Sequence, residues 1–162
     1  MMNLIFTPAA PHQLAAVDRL MRSAFTPYVR GLGRELAADA YGWFGEAIAI
    51  GDIFLALDGA EIVGAIATKR GEGEGGGEMI LELIGVSPTR QKQGIASWMI
   101  GQVEQVARAR GVRALSLNTA EMMEDRVRLY SRHGFAIMRR GPPEHGRDAH
   151  IRVYMTKPLD IG

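Results

Sequence analysis

The feature that most constrains the fold is an apolar segment that leads, through a short polar turn, into an amphipathic helix. Residues 79–86 read MILELIGV, and such an almost continuous apolar run is typical of a strand in the middle of a sheet. Residues 87–94 read SPTRQKQG, and from about Gln91 to Arg110 the apolar positions fall on one helical stripe. Gly111 supplies a stop for that helix. A central strand followed at once by a helix that can cover it predicts a mixed α/β fold.

Hydrophobic periodicity places the other elements in an order that suits one domain over residues 1–162. Asp58-Gly59 between two apolar runs predicts a β-hairpin, whereas residues 26–31 and the glycine-rich residues 71–77 predict loops. The predicted strands cover residues 3–7, 53–57, 61–70, 79–86, 114–119, 135–139 and 150–156, and the predicted helices cover residues 11–25, 36–50, 91–110 and 123–132. The order is β-α-α-β-β-β-α-β-α-β-β, which predicts a mixed central β-sheet flanked by helices.

Composition argues against several functional classes. With 162 residues, 47% of them hydrophobic and 23% charged, the chain is long enough for one well-buried core. A formal net charge of +1 gives no support to nucleic-acid binding, and no apolar segment approaches the roughly 20 residues that span a bilayer. There are no cysteines, and the four histidines show no metal-ligand spacing, so we expect neither disulfides nor a bound metal. The N-terminal residues lack a secretory pattern, which predicts a cytoplasmic protein.

The turn before the predicted helix at residues 91–110 has the properties of an anion site. Helix N-termini leave about four backbone N–H groups without intrahelical partners and carry a partial positive charge. Gly94 leaves the backbone open to a ligand, Ala96 is nearly as small, and Arg90 and Lys92 add charge around the mouth. Local physics alone leaves open whether this is an anion site or an ordinary helix start with solvated basic residues.

Gln91-x-x-Gly94-x-Ala96, preceded by Val86-Ser87-Pro88 at the end of a strand, resembles the Q/R-x-x-G-x-G/A signature of the GCN5-related N-acetyltransferases (GNAT). The order of elements over nearly the whole chain also resembles the fold of this family. Many members have a further glycine where this chain has Lys92. The resemblance implies that acetyl-CoA is the cosubstrate, with its pyrophosphate on the backbone amides and its pantetheine arm on main-chain groups of the strand before them. The residues so implied are Gln91, Lys92, Gln93, Gly94, Ile95 and Ala96 for the pyrophosphate, and Ile84 and Val86 for the pantetheine.

A second segment, VRLYSRHGF at residues 127–135, resembles the family's a-x-x-L-Y-x-x-x-G-F pattern. The resemblance implies that Tyr130 protonates the departing coenzyme A thiolate, and a phenol with a reference pKa of about 10 is a stable proton donor at neutral pH. The alternative is that the Tyr130 ring packs under its helix. Many members place an asparagine that contacts the coenzyme where this chain has Met123, and Asn118 is the nearest polar substitute.

One carboxylate, Glu82, interrupts the apolar run of residues 79–86. Strand alternation puts Glu82 on one face with Ile80, Ile84 and Val86. Burial there would raise the pKa of Glu82 and make it a better base near neutral pH. In the family this strand often supplies a glutamate that takes a proton from the attacking amine, so Glu82 is the first candidate base and Glu78 the second. A structural Glu82, paired with an arginine or facing solvent, remains the alternative.

The amine acceptor is less well defined. The family's acceptor pocket is shaped by the loop between the first two helices and the loop before the last strand, which implies that Phe25 and Tyr28 bind substrate. Other residues of those loops are Arg30, Glu144, His145, Arg147 and Asp148, with Tyr41, Trp43 and Phe44 as aromatic walls or core. The mixture suits a small amine, an amino acid derivative or a peptide N-terminus.

Other functions stay open at this point. A non-catalytic acyl-CoA sensor would keep the site at residues 91–96 and acetylate no amine. A dinucleotide-binding domain needs a glycine-rich turn after the first strand, and residues 3–12 contain no glycine. A protein-interaction surface could use the basic cluster Arg126, Arg128, Arg132, Arg139 and Arg140, although a solvated face that assists the 3′-phosphate of the coenzyme fits better. Family analogy alone would suggest a homodimer, and the sequence leaves the oligomeric state open.

Overall fold

The computed structural model describes residues 2–71, 77–144 and 148–159, and within these ranges seven strands and four α-helices follow the predicted chain order. The strands are β1 (Leu4–Pro8), β2 (Ile53–Asp58), β3 (Glu61–Arg70), β4 (Glu78–Val86), β5 (Ala114–Ala120), β6 (Ala136–Gly141) and β7 (Arg152–Pro158). The helices are α1 (Leu14–Gly31), α2 (Phe44–Ala49), α3 (Ile95–Ala109) and α4 (Glu124–Arg132), and short 3-10 turns cover Pro11–Gln13 and Pro88–Arg90.

The described strands form one mixed sheet in the order β1-β2-β3-β4-β5-β7-β6. Neighbouring strands are antiparallel except β4 and β5, which are parallel. The predicted hairpin at Asp58-Gly59 is confirmed: it joins β2 to β3, with Gly59 at a φ of +62°. The parallel pair needs a crossover, and α3 supplies it on the chain between β4 and β5. The predicted mixed sheet flanked by helices is therefore confirmed.

Apolar side chains cover both faces of this sheet. On one face Met99, Ile100 and Val103 of α3 are fully buried in a cluster with the sheet. On the other face Val17 and Met21 of α1 are fully buried in a second cluster, which also contains Phe44. Burying a side chain of this size stabilises the fold by roughly 1.5–3 kcal/mol each. The sheet is thus a central layer held between α3 and the pair α1 and α2.

Helix α1 extends beyond its predicted end. The sequence predicts a loop at residues 26–31 because proline removes a helical hydrogen bond, yet α1 passes through Pro27 to Gly31. Phe25 and Val29, on either side of the proline, are 6% and 4% exposed. The Thr26 hydroxyl also donates to the Arg22 carbonyl at 2.7 Å. Burial on both sides therefore outweighs the lost bond, and the predicted loop is wrong.

Helix α2 is much shorter than predicted, and α3 starts later. Residues 38–43 form turns instead of helix. The Arg22 guanidinium, held by Asp18 at 2.7 Å, donates to the carbonyls of Ala37 and Ala38 at 3.1 and 2.5 Å. The Arg22 side chain thus binds carbonyls that a continuous helix would use, although the Ala37 carbonyl also accepts the Ala40 N–H in a tight turn at 3.2 Å. In α3 the helix begins at Ile95, because Gly94 adopts a left-handed conformation that ends the preceding loop.

A β-bulge in β4 corrects the predicted strand face. Ala67 of β3 pairs with Leu83 and Thr68 pairs with Leu81, so Glu82 is an extra residue without a partner in the register. The bulge shifts the alternation, and Leu81 and Ile84 both enter the cluster under α3. The predicted common face of Ile80, Glu82, Ile84 and Val86 is therefore wrong. Beyond the bulge, a Cβ at Gly85 would lie 2.7 Å from Sδ of Met21, so this glycine allows α1 to approach β4 closely.

Candidate active site

The site begins where β4 and β5 part. Their parallel pairing covers three residue pairs, from Glu78 with Ala114 to Ile80 with Ser116, and the strands then separate. Residues 81–86 of β4 consequently have no ladder on the β5 side, which is the geometry that accepts an extended ligand by strand addition.

A cleft of about 480 Å³ lies between β4 and the helices α3 and α4. Seven of the eight residues predicted to bind the pyrophosphate and pantetheine line it, namely Ile84, Val86, Gln91, Lys92, Gly94, Ile95 and Ala96. Gln93 is exposed and is not part of this lining. The structure therefore brings the predicted cofactor segment together in one cavity, with Gln93 at its outer side.

The backbone of residues 91–97 turns its N–H groups away from protein acceptors. Gln91 is extended, Lys92 has a φ of +64° and Gly94 has a φ of +81°. Within the residues that the structure describes, no acceptor is hydrogen-bonded to the N–H groups of residues 91–97. Successive N–H groups in alternating backbone conformations form an anion-binding concavity, and the positive end of the α3 dipole adds to it. Lys92 holds a conformation that glycine adopts more easily.

Arg90 does not contribute the free charge expected at the mouth of this cleft. Its Nη1 lies 3.0 Å from Asp58, and its Nη2 forms an ion pair with Glu61. The Gln91 side-chain amide donates to the Val86 carbonyl at 3.3 Å. Arg90 therefore fastens the loop to the β2–β3 hairpin. The positive potential of the cleft comes from the backbone amides and from Lys92, Arg126 and Arg132, which line it.

Tyr130 lies in α4 between the cleft and a second cavity. The residue is 5% exposed, and its ring packs near that of Phe135 with centroids 6.1 Å apart. Burial raises the pKa of the Tyr130 phenol, and the nearby Arg126 acts in the opposite direction. The phenol therefore keeps its proton at neutral pH. The ring packing that was the alternative for Tyr130 is present, and the residue also lines the cleft, so packing does not exclude the acid role.

The second cavity, which we call the acceptor pocket, has a volume of about 210 Å³. Phe25 and Tyr28, the two predicted substrate residues, line it from α1, together with Tyr41 and Trp43. The Tyr28 hydroxyl accepts a hydrogen bond from the Ala120 backbone N–H at 3.4 Å. Ile84, Arg126 and Tyr130 line both this pocket and the cleft, so the two cavities meet at these three residues.

Glu82 occupies a more open place than the sequence suggests. Its side chain is 37% exposed, and its Oε1 lies 3.7 Å from Nζ of Lys69. The predicted burial of this carboxylate is therefore wrong, because the bulge breaks the alternation that would have placed Glu82 on the covered face. Glu82 lines the acceptor pocket and a neighbouring cavity of about 490 Å³. The second candidate base, Glu78, accepts a hydrogen bond from the Ser116 hydroxyl at the closed end of the strand pair.

Asn118 lies on the acceptor side of the site. It lines the acceptor pocket and the neighbouring cavity, whereas the cleft at residues 91–97 does not include it. It pairs with Tyr154 of β7 in the sheet register. The expected contact of Asn118 with the coenzyme therefore has no support from the lining of that cleft.

Several other residues predicted for the acceptor side lie away from the pocket. Arg30 pairs with Glu35 at 3.2 Å, and Glu144 pairs with Arg139 at 3.1 Å, both on the surface. His145 and Arg147 lie outside the described residues. Asp148 is buried and binds two arginines behind the pocket.

Sequence reasoning missed the basic residues of the acceptor pocket. Arg126 was grouped with a solvated face, but it is half-buried, with its guanidinium 5.5 and 5.1 Å from the ring centres of Phe25 and Tyr28. Its position four residues before Tyr130 was a usable signal, since such residues share a helix face. Arg34 and Arg152 both bind Asp148, which lies 114 residues beyond Arg34 along the chain.

No metal centre or membrane-spanning helix is found among the described residues. Residues 2–71, 77–144 and 148–159 contain no group of three or more His, Asp or Glu side chains arranged to hold a metal ion. Nor do these ranges include a helix with the length and hydropathy needed to cross a bilayer.

Comparison with known proteins agrees with this fold and cleft. Residues 17–135 match the acetyltransferase (GNAT) family. That match covers most of the chain, and the chain therefore belongs to the acetyltransferase (GNAT) family.

Individual relatives show the same likeness. An IAA acetyltransferase of Azospirillum brasilense is 35% identical over 96 residues, or 59% of this chain and 57% of that relative, so the chain spans little more than half of the relative's length. The structure of NAA60 from Arabidopsis thaliana in complex with acetyl-CoA has a TM-score of 0.77 at 18% identity, covering 97% of this chain and 100% of that chain. A GNAT family acetyltransferase from Elizabethkingia anophelis with acetyl-CoA bound has a TM-score of 0.71 at 18% identity, covering 97% and 99%. The solved structures share the fold.

The left-handed conformation of Gly94 gives a prediction with a matched control in the same helix. Gly94→Ala should destabilise the protein by about 1–2 kcal/mol, because an L side chain is strained in that conformation. No described atom lies within 4 Å of a Cβ at Gly94, so the loss is conformational. Gly101→Ala, with equal free space inside α3, should stabilise by about 0.5–1 kcal/mol. Urea unfolding of both variants checks the signs, and a stabilising Gly94→Ala would contradict the assigned backbone.

Proposed function

We propose that the protein transfers an acetyl group from acetyl-CoA directly to a primary amine of a small molecule or peptide. The observation that carries the proposal is the row of N–H groups at residues 91–97, which no described residue accepts, at the open end of the parted strands. Family membership and acetyl-CoA in the two structural neighbours named above give further support.

The residues of the cleft suit the parts of this cosubstrate. The amides of residues 91–96 would hold the pyrophosphate, with Lys92 adding charge and Gly94 leaving the backbone accessible. Main-chain groups of Ile84 and Val86, beyond the last β4–β5 pair, would bind the amides of the pantetheine arm. An arm laid along β4 in this way ends where the cleft meets the acceptor pocket, at Ile84, Arg126 and Tyr130.

Tyr130 and Glu82 supply the proton transfers in the proposed reaction. The amine nitrogen attacks the thioester carbonyl, the carbon–sulfur bond breaks, and the Tyr130 phenol gives its proton to the departing thiolate. Its buried position keeps the phenol protonated until that step. The proton released by the amine passes to Glu82, through water because this carboxylate lies at the open margin of the pocket. Much of the acceleration then comes from holding the two reactants together.

The alternative function is a non-catalytic acyl-CoA sensor, and a thiol-release assay distinguishes it from the proposed enzyme. A sensor needs the cleft and has no use for a second cavity that meets it beside a buried phenol. The homodimer and the cytoplasmic location expected from the sequence stay predictions.

Thiol release tests the proposed activity. Incubation with acetyl-CoA and a panel of amines, amino acid derivatives and peptides should release coenzyme A above the rate without an amine. The acetylated amine should appear in equal amount by mass spectrometry. Tight binding of acetyl-CoA by calorimetry without release in any reaction would favour the sensor.

Tyr130→Phe should lower turnover while leaving coenzyme binding nearly unchanged. Loss of a general acid costs roughly 10²–10⁴-fold in rate, and the ring that packs in the core is retained. Tyr154→Phe is the matched control, since its hydroxyl donates to the Pro142 carbonyl at 3.2 Å, away from the cleft. An unchanged turnover number in Tyr130→Phe would reject the acid role.

Glu82→Gln should lower kcat/KM by roughly 10²-fold at neutral pH, as expected for loss of a general base. Binding of acetyl-CoA should stay nearly unchanged, because Glu82 lines the acceptor pocket and does not line the cleft. Glu35→Gln, on the surface beside Arg30 and outside the cavities of the site, serves as the control. An unchanged kcat/KM in Glu82→Gln would show that water alone accepts the proton.

A further inference from the structure

The acceptor pocket is lined by an unusual set of charges for a site that takes amines. Its described lining contains three arginines, Arg34, Arg126 and Arg152, and one carboxylate, Glu82. Glu82 lies at the margin and has Lys69 as its partner at 3.7 Å. A pocket built only to hold a cationic amine would be expected to present carboxylates, whereas this one presents guanidinium groups.

Two of these arginines are fixed behind the pocket by Asp148. Arg34 lies 3.0 Å and Arg152 lies 3.2 Å from Oδ2 of Asp148, whose side chain is 5% exposed. Burial alone would raise the pKa of Asp148, but the His150 backbone N–H, Arg34 and Arg152 together hold it below its usual range. Asp148 is therefore ionised at neutral pH, and one negative charge lies between two positive ones.

Arg126 is the arginine nearest the point of reaction. It is half-buried and lies against the rings of Phe25 and Tyr28, and it also lines the cleft beside Tyr130. No carboxylate of the described residues lies within ion-pair distance of it. A partly desolvated guanidinium favours a bidentate anion, and its planar fork matches a carboxylate or a phosphate. The coenzyme's phosphates would bind at residues 91–97, so Arg126 is available to the acceptor.

Tyr41 adds a hydrogen-bond donor to the same pocket. The residue is 6% exposed, and its hydroxyl has no hydrogen-bond partner among the described residues. Burial raises the pKa of Tyr41 to about 12, with smaller opposing effects of nearby arginines. The hydroxyl therefore keeps its proton and can donate. A buried hydroxyl without a partner costs free energy until a ligand accepts from it.

We propose that the amine acceptor carries an anionic group, a carboxylate or a phosphate, close to its amine, and that Arg126 binds this group. The inference rests on the proposed acetyl transfer. Arg126 lies beside Tyr130, where the amine must meet the thioester, so the anionic group and the amine are separated by only a few atoms. The α-amino acids have this spacing. The aromatic walls formed by Phe25, Tyr28, Tyr41 and Trp43 suit an apolar or aromatic side chain, and the volume of about 210 Å³ restricts the acceptor to a small molecule.

Matched ligand pairs test this inference without turnover. Calorimetry on the protein saturated with coenzyme A compares L-phenylalanine with L-phenylalaninamide, which lacks the carboxylate and resembles a peptide N-terminus. A second pair compares phosphoethanolamine with ethanolamine. The anionic member of at least one pair should bind 10-fold more tightly or better. The pair that shows the preference distinguishes a carboxylate from a phosphate.

Variants of α4 assign the preference to Arg126. Arg126→Gln should reduce the preference to less than 3-fold and raise KM for the anionic amine more than it lowers kcat. Arg126→Lys, which keeps the charge but loses the planar fork, should retain part of it. Arg128→Gln is the matched control, since Arg128 lies on the same helix, is 63% exposed and lines none of the three cavities of the site.

Equal affinity for both members of each pair, or no binding of any of the four ligands, would overturn the inference. An unchanged preference in Arg126→Gln would remove Arg126 from it. These results are distinct from a failure of the proposed function, which would show as no thiol release with any amine or as no binding of coenzyme A, because the titrations measure binding and need no turnover. In that case the same four titrations on the protein alone still decide the anion preference.

Discussion

Three parallel residue pairs between β4 and β5 are the constraint on which the whole site depends. They end at Ile80 and Ser116, and the two strands then separate, so the middle of an otherwise continuous sheet opens at one end. Each strand is held on its other side by a long antiparallel neighbour, β3 for β4 and β7 for β5. The opening can therefore exist without loss of the sheet, and its main-chain groups are available to a ligand. The closed end, where the Ser116 hydroxyl binds Glu78, keeps the strands in register.

The parallel direction of this pair brings the functional segments together. The carboxyl ends of parallel strands lie at the same edge of a sheet, which is where ligands of α/β proteins usually bind. β4 delivers the loop at residues 91–94 and the N-terminus of α3, and β5 delivers α4 with Arg126 and Tyr130. Gly85 lets α1 approach from the other face, which brings Phe25 and Tyr28 to the same place. Segments that are far apart in the chain thus surround one opening.

Much of this arrangement could be predicted from local patterns, and the rest depends on contacts that no local pattern contains. The order of strands, the Asp58-Gly59 hairpin and the cleft segment Gln91 to Ala96 follow from periodicity, turn residues and a family signature. The bulge at Glu82 depends on how β4 pairs with β3, which the sequence of β4 alone does not show. Because of the bulge, Glu82 does not lie on the sheet face that simple strand alternation predicts. The continuation of α1 through Pro27 depends on burial of Val29.

The acceptor pocket was the least predictable part, because its charges belong to the tertiary structure. Arg34, Asp148 and Arg152 form one ion-paired group from two distant segments, so spacing along the chain gives no signal. The four-residue spacing between Arg126 and Tyr130 indicates that the two share a helix face. An arginine on a polar helix is nevertheless usually solvated, so the spacing alone does not predict a place in the pocket. Arg126 is instead partly desolvated, because the aromatic rings of Phe25 and Tyr28 in α1 replace water around its guanidinium.

Arg126 also links the two halves of the proposed reaction. Burial raises the pKa of Tyr130, and the positive charge of Arg126 partly opposes this effect. An anionic group bound to Arg126 would offset that positive charge, so the pKa of Tyr130 could only rise further when the acceptor is in place. The phenol would then stay protonated until the thiolate forms, at some cost in acid strength, because a phenol of higher pKa gives up its proton less readily. The same arginine would select the acceptor and keep the acid in its protonated form.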